Sequence, residues 1–279
     1  MHVFKQHTAL TEWLNSSKAK DQTIGFVPTM GALHEGHMAL VKQAVQQNSV
    51  VVASVFINPK QFNNISDYEK YPVTEQADIT MLEKAGCHAV YIPAVEDIYP
   101  ETAVHIPLSI PHLENILEGP NRPGHFDGVV QVVHRLFSIV NPDRAYFGLK
   151  DFQQCKVIQA LCKEYFRNIH LEFCPTLREE SGLAKSSRNM RLTDKGKFKA
   201  ALLYKALKMV AADCYRIPLQ EALKEAGQYL AEQGIIVEYL SCANSETFEL
   251  TEDWQTNNRN IVLIAAYVEH IRLIDNLQF

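Results

Sequence analysis

The chain has 279 residues, a length that suits one large domain plus a smaller one. Apolar residues make up 47% and charged residues 21%, which is enough for a real core and excludes an unfolded polar chain. A net charge of −5 argues against a general nucleic-acid binder, yet leaves room for a local basic cluster that takes an anionic substrate.

Residues 23–28 (TIGFVP) predict a short buried strand, and Met38, Val41, Ala44 and Val45 form the stripe of a helix after it. Residues 50–57 (VVVASVFI) are a β-branched apolar run, the pattern of a parallel strand covered on both faces. Together they make a βαβ unit with a right-handed crossover. A helix is expected over 78–85, a strand over 88–93 and irregular chain over 94–127. From Gly128, the residues Val129, Val133, Leu136 and Val140 share one helical face. A strand at 144–149, a helix at 151–166 and a strand at 170–175 continue the alternation. Strands alternating with helices predict an α/β parallel sheet. Beyond residue 176 the style changes: a polar loop (REESGLAKSSRN), helices at 194–213 and 218–233, then three strand-like runs, which predict a small α+β domain. The expected domains are 1–176 and 177–279.

No apolar stretch is long enough to span a bilayer, and the opening MHVFKQHTALTEWL lacks the pattern of a secretion signal. The six cysteines form no CxxC pair and lie mostly in apolar segments, which fits free thiols in a reducing cytoplasm. The expected location is therefore cytoplasmic, with no membrane and no nucleic acid as partners.

Five segments carry candidate chemistry. PTMGALHEGH (28–37) joins the first strand to the first helix, where open α/β sheets bind ligands and a helix N-terminus favours phosphate. Gly31 and Gly36 permit close backbone approach, and His34 and His37, three apart, project from one helical face. Two imidazoles there can donate hydrogen bonds to phosphoryl oxygens as charge builds on them. A surface or core histidine pair is the bland alternative; a metal site is disfavoured because the spacing is not that of HExxH. FINPKQFN (56–63) follows the second strand, and its Asn58 and Gln61 could bind hydroxyls or a carboxylate, or be ordinary loop residues. EGPNRPGHFDGVV (118–130) brings Arg122, His125 and Asp127 into a loop before a helix, in a structural or a functional role. YFGLKDFQQ (146–154) repeats the strand-to-helix geometry, with Lys150 as a point charge for phosphate, Gln154 facing the cleft and Gln153 structural. In GLAKSSRN (182–189), Lys185, Ser186, Ser187 and Arg188 form a cation–hydroxyl cluster suited to pyrophosphate, the alternative being a basic linker.

The blocks PTMGALHEGH, INPKQF, YP.T, RPGHFDGV, NPDRAYFGLKDFQQ, REESGLAKSSRN and RLIDN occur in this order over nearly the whole chain. The sequence thereby resembles the pantoate–β-alanine ligase family, within the superfamily that pairs a HIGH-type turn with a KMSKS-type loop. The resemblance implies a Rossmann-like N-terminal domain, a smaller C-terminal lid and usually a homodimer. It implies that ATP and (R)-pantoate give a pantoyl adenylate and pyrophosphate, and that β-alanine then displaces AMP to yield pantothenate, with Mg²⁺ accompanying ATP.

Carried over by motif, Met30, Gly31, Ala32, Leu33, His34, Glu35, Gly36 and His37 would bind ATP, with His37 the family's proton donor. Stabilisation of phosphate charge is the physical alternative for both histidines. Gly148, Leu149, Lys150 and Asp151 would contact the nucleotide, as would Leu177 through its backbone, and Lys185, Ser186, Ser187 and Arg188. Lys150 and Arg188 join the histidines as the catalytic set. Gln61 and Gln154 would hold pantoate, with Gln61 also near β-alanine. Four positions depart from the family pattern: Lys60 for Thr, Val73 for Arg, Leu149 for Glu and Lys185 for Met. Lys185 is expected to replace part of the interactions lost elsewhere. Asp78 reads as an exposed acid on a helix surface, with a place near Mg²⁺ as the alternative. A plain nucleotidyltransferase and a noncatalytic nucleotide-binding module are the competing functions. The first has no need for both Gln61 and Gln154, and the second would tolerate loss of His37 or Lys150.

Overall fold

The structure is a computed structural model that describes residues 1–62, 68–257 and 259–279; Asn63 of the second candidate segment lies outside the described residues. The chain divides into two compact units: Met1–Leu149 with Gln153–Pro175, and Lys150–Phe152 with Thr176–Phe279.

The first unit is built on a six-stranded sheet in the order β1-β4-β3-β2-β5-β6, with every pair parallel. Its elements are β1 (His2–Phe4), α1 (His7–Lys18), β2 (Ile24–Thr29), α2 (Glu35–Gln47), β3 (Val50–Val55), α3 (Glu75–Lys84), β4 (Ala89–Tyr91), α4 (His125–Val140), β5 (Arg144–Gly148), α5 (Phe152–Tyr165, of which Phe152 counts with the second unit) and β6 (His170–Cys174). Both faces of the sheet are covered, which explains why β3 is buried at all six positions. On one face Val27, Val51, Ala53 and Val90 pack with Val41 and Ala44 of α2 and Leu82 of α3. On the other, Phe26 meets Phe137 of α4 edge-on, with ring centroids 6.2 Å apart.

The expected Rossmann-like sheet is therefore present, with differences at the margins. Neither β1 nor α1 left a mark in the sequence pattern. β3 stops at Val55, before Ile57, because Asn58 Oδ1 accepts the Lys60 N–H (3.2 Å) and starts a 3₁₀ turn over Pro59–Gln61. α4 begins earlier than Gly128, at His125. The irregular stretch 94–127 contains short helical turns at Val95–Ile98, Pro111–Glu114 and Glu118–Asn121. Two buried amides pin it. Gln153 Nε2 donates to the Leu113 and Ile116 carbonyls (2.7 and 3.0 Å), and its Oε1 accepts the Glu118 N–H (3.1 Å). Gln131 pairs likewise with both backbone groups of Ile106.

The second unit packs α6 (Asp194–Ala212) and α7 (Leu219–Glu232) on an antiparallel sheet of β7 (Ile236–Asn244), β8 (Asn260–Val268) and β9 (Ile271–Gln278). Ala206, Leu207, Val210, Ala226 and Leu230 of the helices meet Val262, Ile264 and Ala266 of β8 in its core. This is the α+β arrangement expected for the C-terminal part.

Candidate active site

In the first unit the chain runs from β2 to β3 to β4 on one side, then returns to place β5 on the other side of β2. That reversal is the topological switch point, where ligands bind at the carboxyl ends of the strands. The segment 30–37 leaves the end of β2, Phe56–Gln61 leaves β3, and Gly148–Leu149 lies at the end of β5. Three candidate segments thus emerge from adjacent strands along one edge.

The histidine turn is held from below. Thr29 Oγ1 donates to the Ser54 carbonyl (2.6 Å) and accepts the Gly31 N–H (3.2 Å). The chain then bends through positive φ at Gly31 (78°) and Ala32 (49°). A side chain at Gly31 would be strained by that conformation and would press on Asp78 and Val55, each 3.1 Å from an added Cβ. Asp78 accepts the next two backbone N–H groups, from Ala32 (3.0 Å) and Leu33 (2.8 Å), and the Thr74 hydroxyl (3.1 Å). Asp78 is only 1% exposed, so the expectation of a surface acid is corrected. Its neighbours in sequence made it look solvated; its two backbone partners lie in the histidine turn, far away in sequence.

The two imidazoles themselves cap α2. His34 Nδ1 accepts the Gly36 N–H (3.1 Å), and His37 Nδ1 accepts the His34 N–H (3.3 Å), with ring centroids 4.0 Å apart. A ring nitrogen that accepts from an amide carries no proton, so each neutral ring bears its hydrogen on Nε2. The caps therefore fix a tautomer: two Nε2–H donors beside a helix N-terminus that already favours negative charge.

The loop after β3 separates a structural amide from a candidate binding amide. Asn58 is fully buried and engaged: Nδ2 donates to the Gly128 carbonyl (3.0 Å), while Oδ1 accepts from Lys60 N–H and the Tyr99 hydroxyl (2.9 Å). It is a brace between the loop and α4, which corrects its candidacy as a ligand group. Burial pushes the Tyr99 phenol above its usual range. His125 is also structural, with Nδ1 donating to the Gln61 carbonyl (2.9 Å). Gly128 lets the two segments touch, since an added Cβ would sit 2.1 Å from the Lys60 carbonyl oxygen. Gln61 and Gln154 differ from Asn58 and Gln153: neither side-chain amide has a hydrogen-bond partner among the described residues.

Other candidates in this unit have partners. Arg122 pairs with Glu118 (3.6 Å), and Asp127 accepts from Gln131 (3.1 Å) and lies 3.6 Å from His105. Lys60 sits over the Tyr99 ring, 4.1 Å from its centroid, and Val73 is 79% exposed. Burial pushes the thiols of Cys87 and Cys174 up to about 11 and that of Cys162 to about 12, so none is a ready nucleophile.

In the second unit Lys150, Ser186, Arg188 and Asp275 line one small pocket. Lys150 Nζ is 3.5 Å from Asp151. The loop 177–185 is a tight hairpin: Lys185 N–H donates to the Leu177 carbonyl (2.9 Å), and Glu179 N–H to the Leu183 carbonyl (2.8 Å). Leu177 thus has its carbonyl already taken. Ser186 caps the 3₁₀ turn Ser187–Arg191 by accepting the Arg188 N–H (3.3 Å). Lys185 Nζ lies 3.8 Å from Glu179 Oε1, so its added charge is partly balanced within the hairpin.

The sequence model of the family described as pantoate-beta-alanine ligase matches residues 2–278. The chain belongs to the pantoate–β-alanine ligase family. It is similar to the pantothenate synthetase of Cytophaga hutchinsonii, with 46% identity over 267 residues that cover 95% of this chain and 94% of that protein. A crystal structure of pantothenate synthetase from Thermus thermophilus superposes with a TM-score of 0.91 at 39% identity, covering 100% of this chain and 99% of that one. The pantoate–β-alanine ligase of Francisella tularensis, complexed with beta-gamma ATP and β-alanine, gives a TM-score of 0.83 at 36% identity, covering 100% and 97%. The expectation of an enzyme of this ligase family is borne out. What sequence reasoning missed in this ligase is the support beneath the histidine turn. The spacing of Thr74 and Asp78, one helical turn apart, was the one available signal.

Proposed function

We propose that this chain condenses (R)-pantoate with β-alanine in two steps. A pantoate carboxylate oxygen attacks the α-phosphorus of ATP, the bond to pyrophosphate breaks, and pantoyl adenylate forms. The β-alanine amine then attacks the acyl carbon, the bond to AMP breaks, and pantothenate forms after the amine sheds a proton. The residues 30–37 receive the nucleotide. His34 and His37 donate Nε2–H bonds to phosphoryl oxygens as charge shifts onto them, which favours charge stabilisation over proton donation as their role. Lys150, Ser186, Ser187 and Arg188 offset the charge of the departing pyrophosphate. The amides of Gln61 and Gln154, unpartnered among the described residues, hold the pantoate hydroxyls and carboxylate, with β-alanine near Gln61.

The observation that carries this reading is the pair of imidazoles whose Nδ1 atoms are both committed to backbone amides. Mg²⁺ enters as the complex of ATP. Among the described residues no group of three His, Cys, Asp or Glu could cage a metal, and Asp78 already accepts three hydrogen bonds. Magnesium bound mainly by substrate phosphates and water needs no such cage. A cytoplasmic homodimer, with residues 177–279 acting as a lid, belongs to the same proposal; protease cleavage at 178–190 should slow when ATP and pantoate are bound.

The deciding experiment is exchange of labelled pyrophosphate into ATP without β-alanine. Exchange that depends on pantoate supports the adenylate. Exchange or pyrophosphate release that requires β-alanine refutes it.

A further inference from the structure

Two family blocks contain residues to which no chemistry has been assigned: Arg178 at the head of REESGLAKSSRN, and Asp275 with Asn276 at the end of RLIDN. In the second unit they meet. Arg178 lays its guanidinium on Asp275 with two parallel bonds, Nη1 to Oδ2 (2.6 Å) and Nη2 to Oδ1 (2.9 Å). It also donates to the carbonyls of Gly182 and Asn276, both at 3.1 Å, and stacks on the Tyr204 ring at 3.6 Å. Asp275 is 5% exposed, and its Oδ1 accepts the backbone N–H of Asn276 (2.8 Å). The Asn276 side chain in turn donates from Nδ2 to the backbone carbonyl of Lys150 (2.9 Å).

This network grips the chain on two sides of one pocket. Through Gly182, whose hairpin is closed by the Arg178–Ala184 bridge, it fixes the segment that leads into Ser186 and Arg188. Through Asn276 it fixes the backbone that carries Lys150. A buried ion pair is weak evidence for stability, because desolvation offsets most of its Coulomb attraction. What a forked guanidinium–carboxylate pair does supply is direction: two parallel bonds allow one relative orientation, which a lysine in place of Arg178 would not impose.

We propose that Asn276 and the Arg178–Asp275 pair are positioning residues that hold Lys150 and the Ser186–Arg188 turn at the separation needed to bind one polyphosphate chain. The proposal rests on the reading that Lys150, Ser186 and Arg188 bind ATP phosphates. In this proposal the three groups act through the backbone that carries Lys150, Ser186 and Arg188, although the Asp275 side also faces the same pocket.

The test compares Asn276→Ala, Lys150→Ala and the double variant in the full-length protein, by ATP titration calorimetry and steady-state kinetics. Asn276→Ala should weaken ATP binding by about 5–10-fold, the scale of one lost hydrogen bond, and raise the KM for ATP in step. The KM for pantoate should stay at the wild-type value. In the Lys150→Ala background the same substitution should have an effect of less than about twofold, because the group it positions is gone. If Asn276→Ala does not fold, Asn276→Asp keeps the shape while setting an oxygen against the Lys150 carbonyl, and is read the same way. A fall in kcat with both KM values unchanged marks a merely structural role and overturns the proposal. So does full additivity in the double variant, or wild-type ATP binding by Asn276→Ala. Failure of the underlying reading looks different: Lys150→Ala and Arg188→Ala would then both bind ATP like wild type.

Discussion

Replacing Asp78 tests whether the histidine turn is a shape imposed from beneath. Its carboxylate accepts the N–H groups of Ala32 and Leu33, residues 2% and 8% exposed, and the Thr74 hydroxyl. Asp78→Ala removes an acceptor from two buried backbone donors, at about 1–3 kcal/mol each, or roughly 2–6 kcal/mol together. It also removes a negative charge from the first turn of α3, worth about 0.3–1 kcal/mol more. Against a total stability of about 5–15 kcal/mol this is a large fraction. Asp78→Asn keeps one oxygen and should lose about half as much, roughly 1–3 kcal/mol. At about 2–4 °C per kcal/mol for a domain of this size, the Asn variant should melt about 2–12 °C lower, and the Ala variant lower still. The positive φ angles at Gly31 and Ala32 lose their restraint in both variants, so adenylate formation should slow in the same order. Thermal denaturation followed by circular dichroism, with single-turnover pyrophosphate release, reads both effects. An Asp78→Ala protein that melts with wild type, and differs only in its Mg²⁺ requirement, would refute the bracing role and restore the metal-site alternative.

Other expectations follow from the same geometry. His37→Ala should slow adenylate formation by about 10²–10⁴-fold, measured in a single turnover with the protein's folding verified. Gln61→Ala and Gln154→Ala should raise the KM for pantoate and leave the melting temperature unchanged, because neither amide has a protein partner to lose among the described residues. Gln153→Ala should do the reverse, destabilising by about 1–3 kcal/mol in chemical denaturation because it strips hydrogen bonds from buried backbone. Gly128→Ala should be among the most destabilising single-methyl changes, since its Cβ would collide with the Lys60 carbonyl, and soluble yield with melting temperature will show it. Lys185→Met should raise the KM for ATP only modestly, as Glu179 already balances part of the charge; an unchanged KM would remove Lys185 from the site.

The sheet was legible because its strands are buried on both faces and therefore read as continuous apolar runs, as in Val50–Val55. β1 was not legible: it has three residues, two of them exposed, and no pattern can form over that length. The turns within 94–127 escaped for a different reason. The turns at Pro111–Glu114 and Glu118–Asn121 are held by Gln153, and the chain at Ile106 by Gln131, partners distant in sequence, whereas periodicity sees only neighbours. Three of the five candidate segments could be placed at strand ends from the alternation alone. Which amides in them are braces and which are open could not, because Asn58 and Gln61 differ only in what other segments bring to them. Asp78 was misplaced on the same ground: its first-turn position looked solvated, and the backbone donors it accepts from come from the distant turn after β2.

Because residues 150–152 belong with the C-terminal unit, neither unit is a continuous piece of chain. A fragment starting at residue 176 would lack the Phe152 ring that stacks on Phe248 and the carbonyl that receives the Asn276 amide. During synthesis the order is reversed: the N-terminal sheet is complete on the ribosome while that short insert still waits for residues not yet made. Cutting this protein into two independently folding halves would therefore require grafting the insert, and a nascent chain stalled before Phe248 should lack the ring that stacks on Phe152.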